Sequence, residues 1–161
     1  MNRTTLCFLV KEGKVLLAMK KRGFGTGKWN GVGGKVEMGE NVRASAAREI
    51  GEEVGVTVQE NALEYAANLD FSFVEKAEWD QRVSVFLIRR WEGEPQETEE
   101  MRPQWYPNDQ LPFEKMWVDD PHWVPLVLAG KKIAGRFVFS AGGAVLDDVE
   151  VSEVSPLPSL A

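Results

Sequence analysis

Glu49, Glu52 and Glu53 stand at i, i+3 and i+4 within GKVEMGENVRASAAREIGEEVGV, residues 34–56. On a helix that spacing stacks three carboxylates along one face. Like charges so placed weaken an isolated helix by roughly a few tenths of a kcal/mol per pair. A cluster of hard oxygen donors therefore suggests a hard cation, and Mg²⁺ is the common choice where phosphates complete its shell. Without its flanks, an E-x-x-E-E run reads as an ordinary solvated helix face. Here Gly34, Glu40, Arg48 and Gly55 stand in register around it, with Ile50 and Val56 at two aliphatic positions.

The helix carrying these acids is predicted to begin near Asn41, a good N-cap, and to end at Gly55, a suitable C′ residue. Ala46, Ala47, Ile50 and Val54 form its apolar stripe, and the carboxylates lie a quarter turn or more from the stripe's centre. One face packs while the other works. Gly51 costs about 1 kcal/mol relative to alanine.

Other elements must surround that helix. Residues 4–10 and 14–19 read as strands joined by a turn at 11–13, and the glycine-rich, basic segment 20–28 as a loop. Gly31, Gly33 and Gly34 mark backbone that either passes close to something or takes unusual torsions. Residues 63–74 and 82–91 read as long strands, with 75–81 a polar connection and 92–103 an acidic loop. A second helix is expected at about 120–129, stopped by Gly130. A hairpin over 132–139 and 144–151 follows, and the tail 155–161 is expected to be mobile. No repeat or linker divides residues 1–161, which are expected to form a single domain.

The 161 residues, 43% hydrophobic and 27% charged, suit a soluble globular protein with a sizeable core. A net charge of −6 argues against wrapping polymeric nucleic acid. It leaves room for a nucleotide, whose charge a divalent metal neutralises. Lone Cys7, in an apolar run, is expected to be a buried thiol. No long apolar stretch suggests a signal peptide or a membrane span, so the cytoplasm is the default compartment. Nothing demands a dimer, and a monomer is expected.

The pattern G-x5-E-x7-R-E-U-x-E-E-x-G-U, with U aliphatic, is matched at every position, and on it the chain resembles the Nudix hydrolases. That resemblance implies an α/β fold, an α/β/α sandwich with a mixed central sheet. It also implies metal-assisted hydrolysis of a nucleoside diphosphate linked to another moiety. Glu49, Glu52 and Glu53 would be ligands of Mg²⁺, with Mn²⁺ a substitute, and Gly33 or Gly34 would add a backbone carbonyl. Glu53 is the first choice for taking the proton of water, with Glu52 and Glu100 as alternatives. Arg48 would orient the neighbouring carboxylates with Glu40 as partner; the plainer reading is a surface ion pair. Glu100, on the acidic loop, would by itself pass for a solvated charge.

Three further segments, MKKRGFGTGKWNGVGGKV (19–36), EEMRPQWY (99–106) and LPFEKMWVDDPHWVPLVL (111–128), resemble the animal-type MutT homologues of that family. Those enzymes convert oxidised purine nucleoside triphosphates, of the 8-oxo-dGTP and 2-hydroxy-dATP type, to the monophosphate and pyrophosphate. Residues 57–98 depart more from their pattern. The likeness implies that Asn30, Asp119 and Asp120 read the base edge and that Trp117 stacks on its ring. Phe24, Phe71, Phe73 and Met101 would close the pocket, and Lys20 would meet the triphosphate. Two adjacent acids in an apolar setting cannot both ionise cheaply, so one is held protonated and can donate. Taken singly, Asp119 also suits a helix N-terminus, Trp117, Trp123, Phe71 and Phe73 suit a core, and His122 reads as structural. Two rival functions remain: a nucleotide hydrolase of broader diet, and a catalytically silent nucleotide-binding module.

Overall fold

A computed structural model describes residues 1–160. Strand β1, Asn2–Lys11, sets the two faces of the fold by its alternation. Phe8 enters one apolar cluster, while Cys7 and Leu9 enter another. The remaining strands are β2 (Lys14–Lys20), β3 (Trp29–Asn30), β4 (Leu63–Phe73), β5 (Gln81–Ile88), β6 (Met101–Pro107), β7 (Ile133–Ser140) and β8 (Val145–Glu153). They join in the order β3-β2-β1-β5-β4-β7-β8, with β6 on the other edge of β2. The pairs β1–β5 and β4–β7 are parallel and the other pairs antiparallel, so the sheet is mixed.

Each face is covered by one helix. Helix α1 (Val42–Val54) buries Ala46, Ile50 and Val54 against Cys7, Leu9, Phe86 and Ile88. Helix α2 (Asp120–Leu128) buries Trp123, Val124 and Val127 on the opposite side, where Trp123 meets Phe8 edge-on at 6.0 Å. This is the α/β/α sandwich expected. Cys7 is fully buried, and its apolar surroundings push the thiol pKa up. Among the described residues, no helix is long and apolar enough to cross a membrane.

Residues 30–36 run antiparallel along the edge of β1 that β5 leaves open, bridging at Thr4–Lys35 and Cys7–Val32. Thr5 N donates to Gly34 O at 2.9 Å, Val32 N to Cys7 O at 2.9 Å, and Val36 N to Arg3 O at 2.9 Å. Close approach, not unusual torsion, explains the glycines here. A Cβ on Gly33 would lie 1.9 Å from Thr5 O, and one on Gly31 would lie 2.8 Å from Cys7 O.

Three expectations need correction. The expected loop over 92–103 yields at Met101 to β6, which pairs along the whole of β2. Pro103 and Pro107 disguise it, and they are tolerated because, among the described residues, β6 pairs with β2 alone. Strand β5 stops at Ile88, short of the expected Trp91. In α1 the apolar stripe is centred differently: Ala47 is half-exposed, whereas Val42, Ser45 and Glu53 are buried. In the tail, Tyr65 Oη donates to Pro158 O at 2.7 Å and Leu160 packs against the α1 cluster. Its last residue, Ala161, lies outside the described residues.

Two alanine substitutions should separate glycines that are required from one that is not. Gly33→Ala should lower stability by about 1–3 kcal/mol or more, because the clash is with backbone. Gly51→Ala meets nothing nearer than Val56 O at 3.8 Å. It should raise stability by up to about 1 kcal/mol, a Tm gain of about 2–4 °C. Thermal denaturation of both variants checks this; an unperturbed Gly33→Ala protein would contradict the packing described.

Candidate active site

Helix α1 starts where Asn41 Oδ1 accepts a hydrogen bond from Ala44 N at 2.8 Å, and it ends on Gly55 at φ 73°. Between these caps, Arg48 is the electrostatic hub. It grips Glu40 with two parallel bonds, Nε to Oε2 at 2.7 Å and Nη2 to Oε1 at 3.1 Å. Its Nη1 donates to Glu49 Oε1 at 3.0 Å and to Glu52 Oε2 at 3.2 Å. Its Nη2 also reaches Lys35 O at 3.3 Å, tying the helix to the glycine segment. These bonds hold the Glu40 carboxyl down at about 2, with the Glu37 N–H assisting. The expected Arg48–Glu40 contact is thus bidentate.

Glu53 stands apart from that guanidinium. It is 5% exposed, and its Oε2 is buried without a hydrogen-bond partner. Burial first, then the charge of Glu49, pushes its pKa up to about 8, although the Gly33 N–H opposes this by hydrogen-bonding the carboxylate. Burial also raises Glu49. The Glu49 carboxyl is seated against Gly34, where a Cβ would come within 2.5 Å of its carboxyl carbon. Arg48 takes oxygens of Glu49 and Glu52, and among the described residues no three acidic, thiol or imidazole groups converge closely enough to hold a cation. Glu100 is exposed, 3.5 Å from Arg22 Nη2, yet near enough that its charge adds to the upward push on Glu53. The loop bearing it is tied to α1 by Thr98 Oγ1, which donates to Glu53 O at 3.0 Å.

Beside this acidic face, across Gly33 and Gly34, lies a cavity of about 540 Å³. Every residue expected to meet base or phosphate lines it: Lys20, Phe24, Asn30, Phe71, Phe73, Met101, Trp117, Asp119 and Asp120. Glu49, Glu52, Glu53 and Glu100 do not. Trp117 is wedged between two glycines, whose added Cβ atoms would lie 3.0 Å (Gly25) and 3.3 Å (Gly143) from its ring. Phe71 and Phe73 are half-buried and lean on Phe139, so they serve core and cavity together. Trp123 is core, and His122 is exposed on α2.

Asp119 and Asp120 are 3% and 2% exposed. Asp119 begins α2 but makes no side-chain cap; its Oδ2 accepts instead from Trp123 Nε1 at 2.7 Å. Asp120 Oδ2 accepts from Trp117 N at 3.1 Å. Burial raises both pKa values, and the charge of Asp119 lifts Asp120 well above the ordinary carboxylate range. The pair therefore holds a proton where an isolated aspartate would not. Among the wall residues that sequence did not point to, two carry chemistry of their own. Trp79 sits in the connection read as merely polar, and Lys28 lies 5.2 Å over the Trp117 ring. The aromatic in a polar stretch was the available signal for Trp79.

A raised carboxyl binds its proton more tightly folded than unfolded, so its stabilising contribution is complete at low pH and is lost on deprotonation. In chelator, stability should fall as pH climbs from about 4.5 through about 8, with Glu53 as one source. Asp119 and Asp120 act in the same sense. Glu53→Gln should flatten the upper part of that decline in urea denaturation. A parent protein equally stable from pH 5 to about 9 would contradict the assignment.

A family model described as NUDIX domain matches residues 1–127. The chain is 47% identical over 150 residues to the oxidized purine nucleoside triphosphate hydrolase of Danio rerio, covering 91% of this chain and 94% of that one. It is 44% identical over 142 residues to the protein of the same name from Mus musculus, covering 88% and 89%. Among solved structures, a MutT protein from Bacillus halodurans superposes with a TM-score of 0.79 at 24% identity, covering 98% of this chain and all of that one, a likeness of fold. The helix carrying Arg48, Glu49, Glu52 and Glu53 is thus set in the fold its motif implied, and the chain belongs to the Nudix family of hydrolases.

Proposed function

We propose that this enzyme hydrolyses oxidised purine nucleoside triphosphates to the monophosphate and pyrophosphate with the help of Mg²⁺. One observation carries the choice of substrate: two adjacent buried acids, Asp119 and Asp120, line an aromatic cavity together with Asn30. A protonated carboxyl donates and an ionised one accepts, so the pair can meet an oxo or an amino substituent on a purine edge. The names of the two relatives from Danio rerio and Mus musculus agree with that chemistry.

Hydrolases of this family generally need a divalent cation, and these residues suit one. The donors are hard oxygens, Glu53 Oε2 is buried without a partner, and the Glu49 carboxyl rests in the space left by the missing Gly34 side chain. Glu49, Glu52 and Glu53 would hold Mg²⁺ once the Glu49 and Glu52 oxygens now bound by Arg48 turn to the ion. Gly33 is the better backbone candidate, because Gly34 O already accepts from Thr5 N. When bound, the ion neutralises phosphate charge and lowers the pKa of water. Glu53 is the favoured proton acceptor: its Oε2 has no partner and its pKa stands near 8, whereas Glu52 and Glu100 are exposed and ion-paired. Arg48 holds Glu49 and Glu52 in register from behind. Lys20, lining the cavity, supplies charge for the phosphates.

Turnover of a panel of oxidised, methylated and normal nucleotides with Mg²⁺, products resolved, tests the reading. The oxidised purine triphosphates should show much the highest kcat/KM and yield pyrophosphate; equal rates on unmodified dGTP would favour a broad hydrolase. Glu53→Gln should cut kcat by about a hundredfold or more with the fold intact. Asp120→Asn should narrow the preference for lesions while sparing metal dependence, and unchanged discrimination would refute the base-reading role.

A further inference from the structure

We infer that Trp79 is a positioning residue of the cavity, the second of two indole walls between which Phe24 is held. The inference rests on the nucleotide reading above. Phe24 lies with its ring centroid 5.4 Å from Trp79 and 5.3 Å from Trp117, tilted by 51° and 30°. The two indoles come from separate parts of the chain, Trp117 from the approach to α2 and Trp79 from the connection between β4 and β5. All three rings line the cavity.

The walls and the bridge differ in firmness. Trp117 is wedged between Gly25 and Gly143. The connection bearing Trp79 is pinned at several points: Phe73 N donates to Asp80 Oδ1 at 2.8 Å, and Asn2 reaches Asp80 O through its N and Glu78 O through Nδ2, both at 2.9 Å. Ala141 N donates to the Glu75 carboxylate, binding the same connection to the β7–β8 turn. Lys76 Nζ sits 4.6 Å over the Trp79 ring, and Phe73 meets that ring edge-on at 5.7 Å. Phe24, by contrast, is 58% exposed on a loop whose Gly23, Gly25 and Gly27 have φ of 84°, 85° and 87°. Without Trp79 its ring would keep one aromatic neighbour.

The division of labour follows from the chemistry of the groups. Stacking on an indole rewards any flat heteroaromatic ring and does not tell one base from another. Asn30, Asp119 and Asp120 read the edge, while Trp79, through Phe24, sets how firmly a purine is retained at the mouth.

Steady-state kinetics of Trp79→Ala and Trp79→Phe on an oxidised purine triphosphate, beside product-monophosphate affinity, test this. Trp79→Ala should raise KM and weaken monophosphate binding by about tenfold or more, the loss falling in KM rather than kcat. Trp79→Phe should recover most of it. Trp79→Ala constants within about twofold of an active parent would overturn the inference alone, as would a fall in kcat that phenylalanine does not repair. A parent that neither binds nor hydrolyses these nucleotides would overturn the substrate reading, and this inference with it.

Discussion

The site is organised by how closely residues 30–34 lie against β1. The Gly33 backbone sits where any side chain would strike Thr5 O, and from that seam the chain serves two sites. In one direction Gly33 N–H reaches the Glu53 carboxylate and Gly34 makes room for Glu49. In the other, Asn30 and Gly31 line the cavity. The acidic helix and the base pocket are therefore held by one short, stiff segment whose hydrogen bonds to β1 fix its register. Such precision needs a rigid scaffold, since small misplacements of reacting groups are costly in rate.

Charge is handled differently on the two sides of the seam. Around α1, Arg48 neutralises Glu40, Glu49 and Glu52 in one partly exposed network, and Glu53 alone is left buried and unpaired by any cation side chain. In the cavity, indole and backbone N–H groups bind Asp119 and Asp120, and burial pushes both pKa values up. Burial raises Glu53 as it raises Asp119 and Asp120, so a cation at α1 would take the place of a proton, whereas in the cavity a protonated carboxyl suits a polar base edge.

Much of this was legible because the responsible signals are local. Asn41 and Gly55 mark α1 by cap chemistry, and the i, i+3, i+4 acids need only helical geometry to align. The cavity lining was reached through resemblance of the segments 19–36, 99–106 and 111–128, since residues so distant in sequence have no local reason to meet. What escaped depended on tertiary context. Strand β6 carries two prolines that an edge strand tolerates, and Glu53 is buried beside the Gly33 N–H, which a helical wheel does not foresee. The tail meets a tyrosine hydroxyl from β4, a contact between residues 65 and 158 that composition conceals. Trp79 was hidden among charged neighbours whose backbone and carboxylates pin its loop.

If the glycine seam places the acids, then disturbing it without unfolding the protein must disturb cation binding. Gly34→Ala is suited to this, because its Cβ would meet the movable end of Glu49, not backbone. Titration of Mn²⁺, followed by the electron paramagnetic resonance of the free ion, should show affinity reduced by about tenfold or more while Tm stays near that of the parent. Unaltered Mn²⁺ affinity in a folded Gly34→Ala protein would contradict the account.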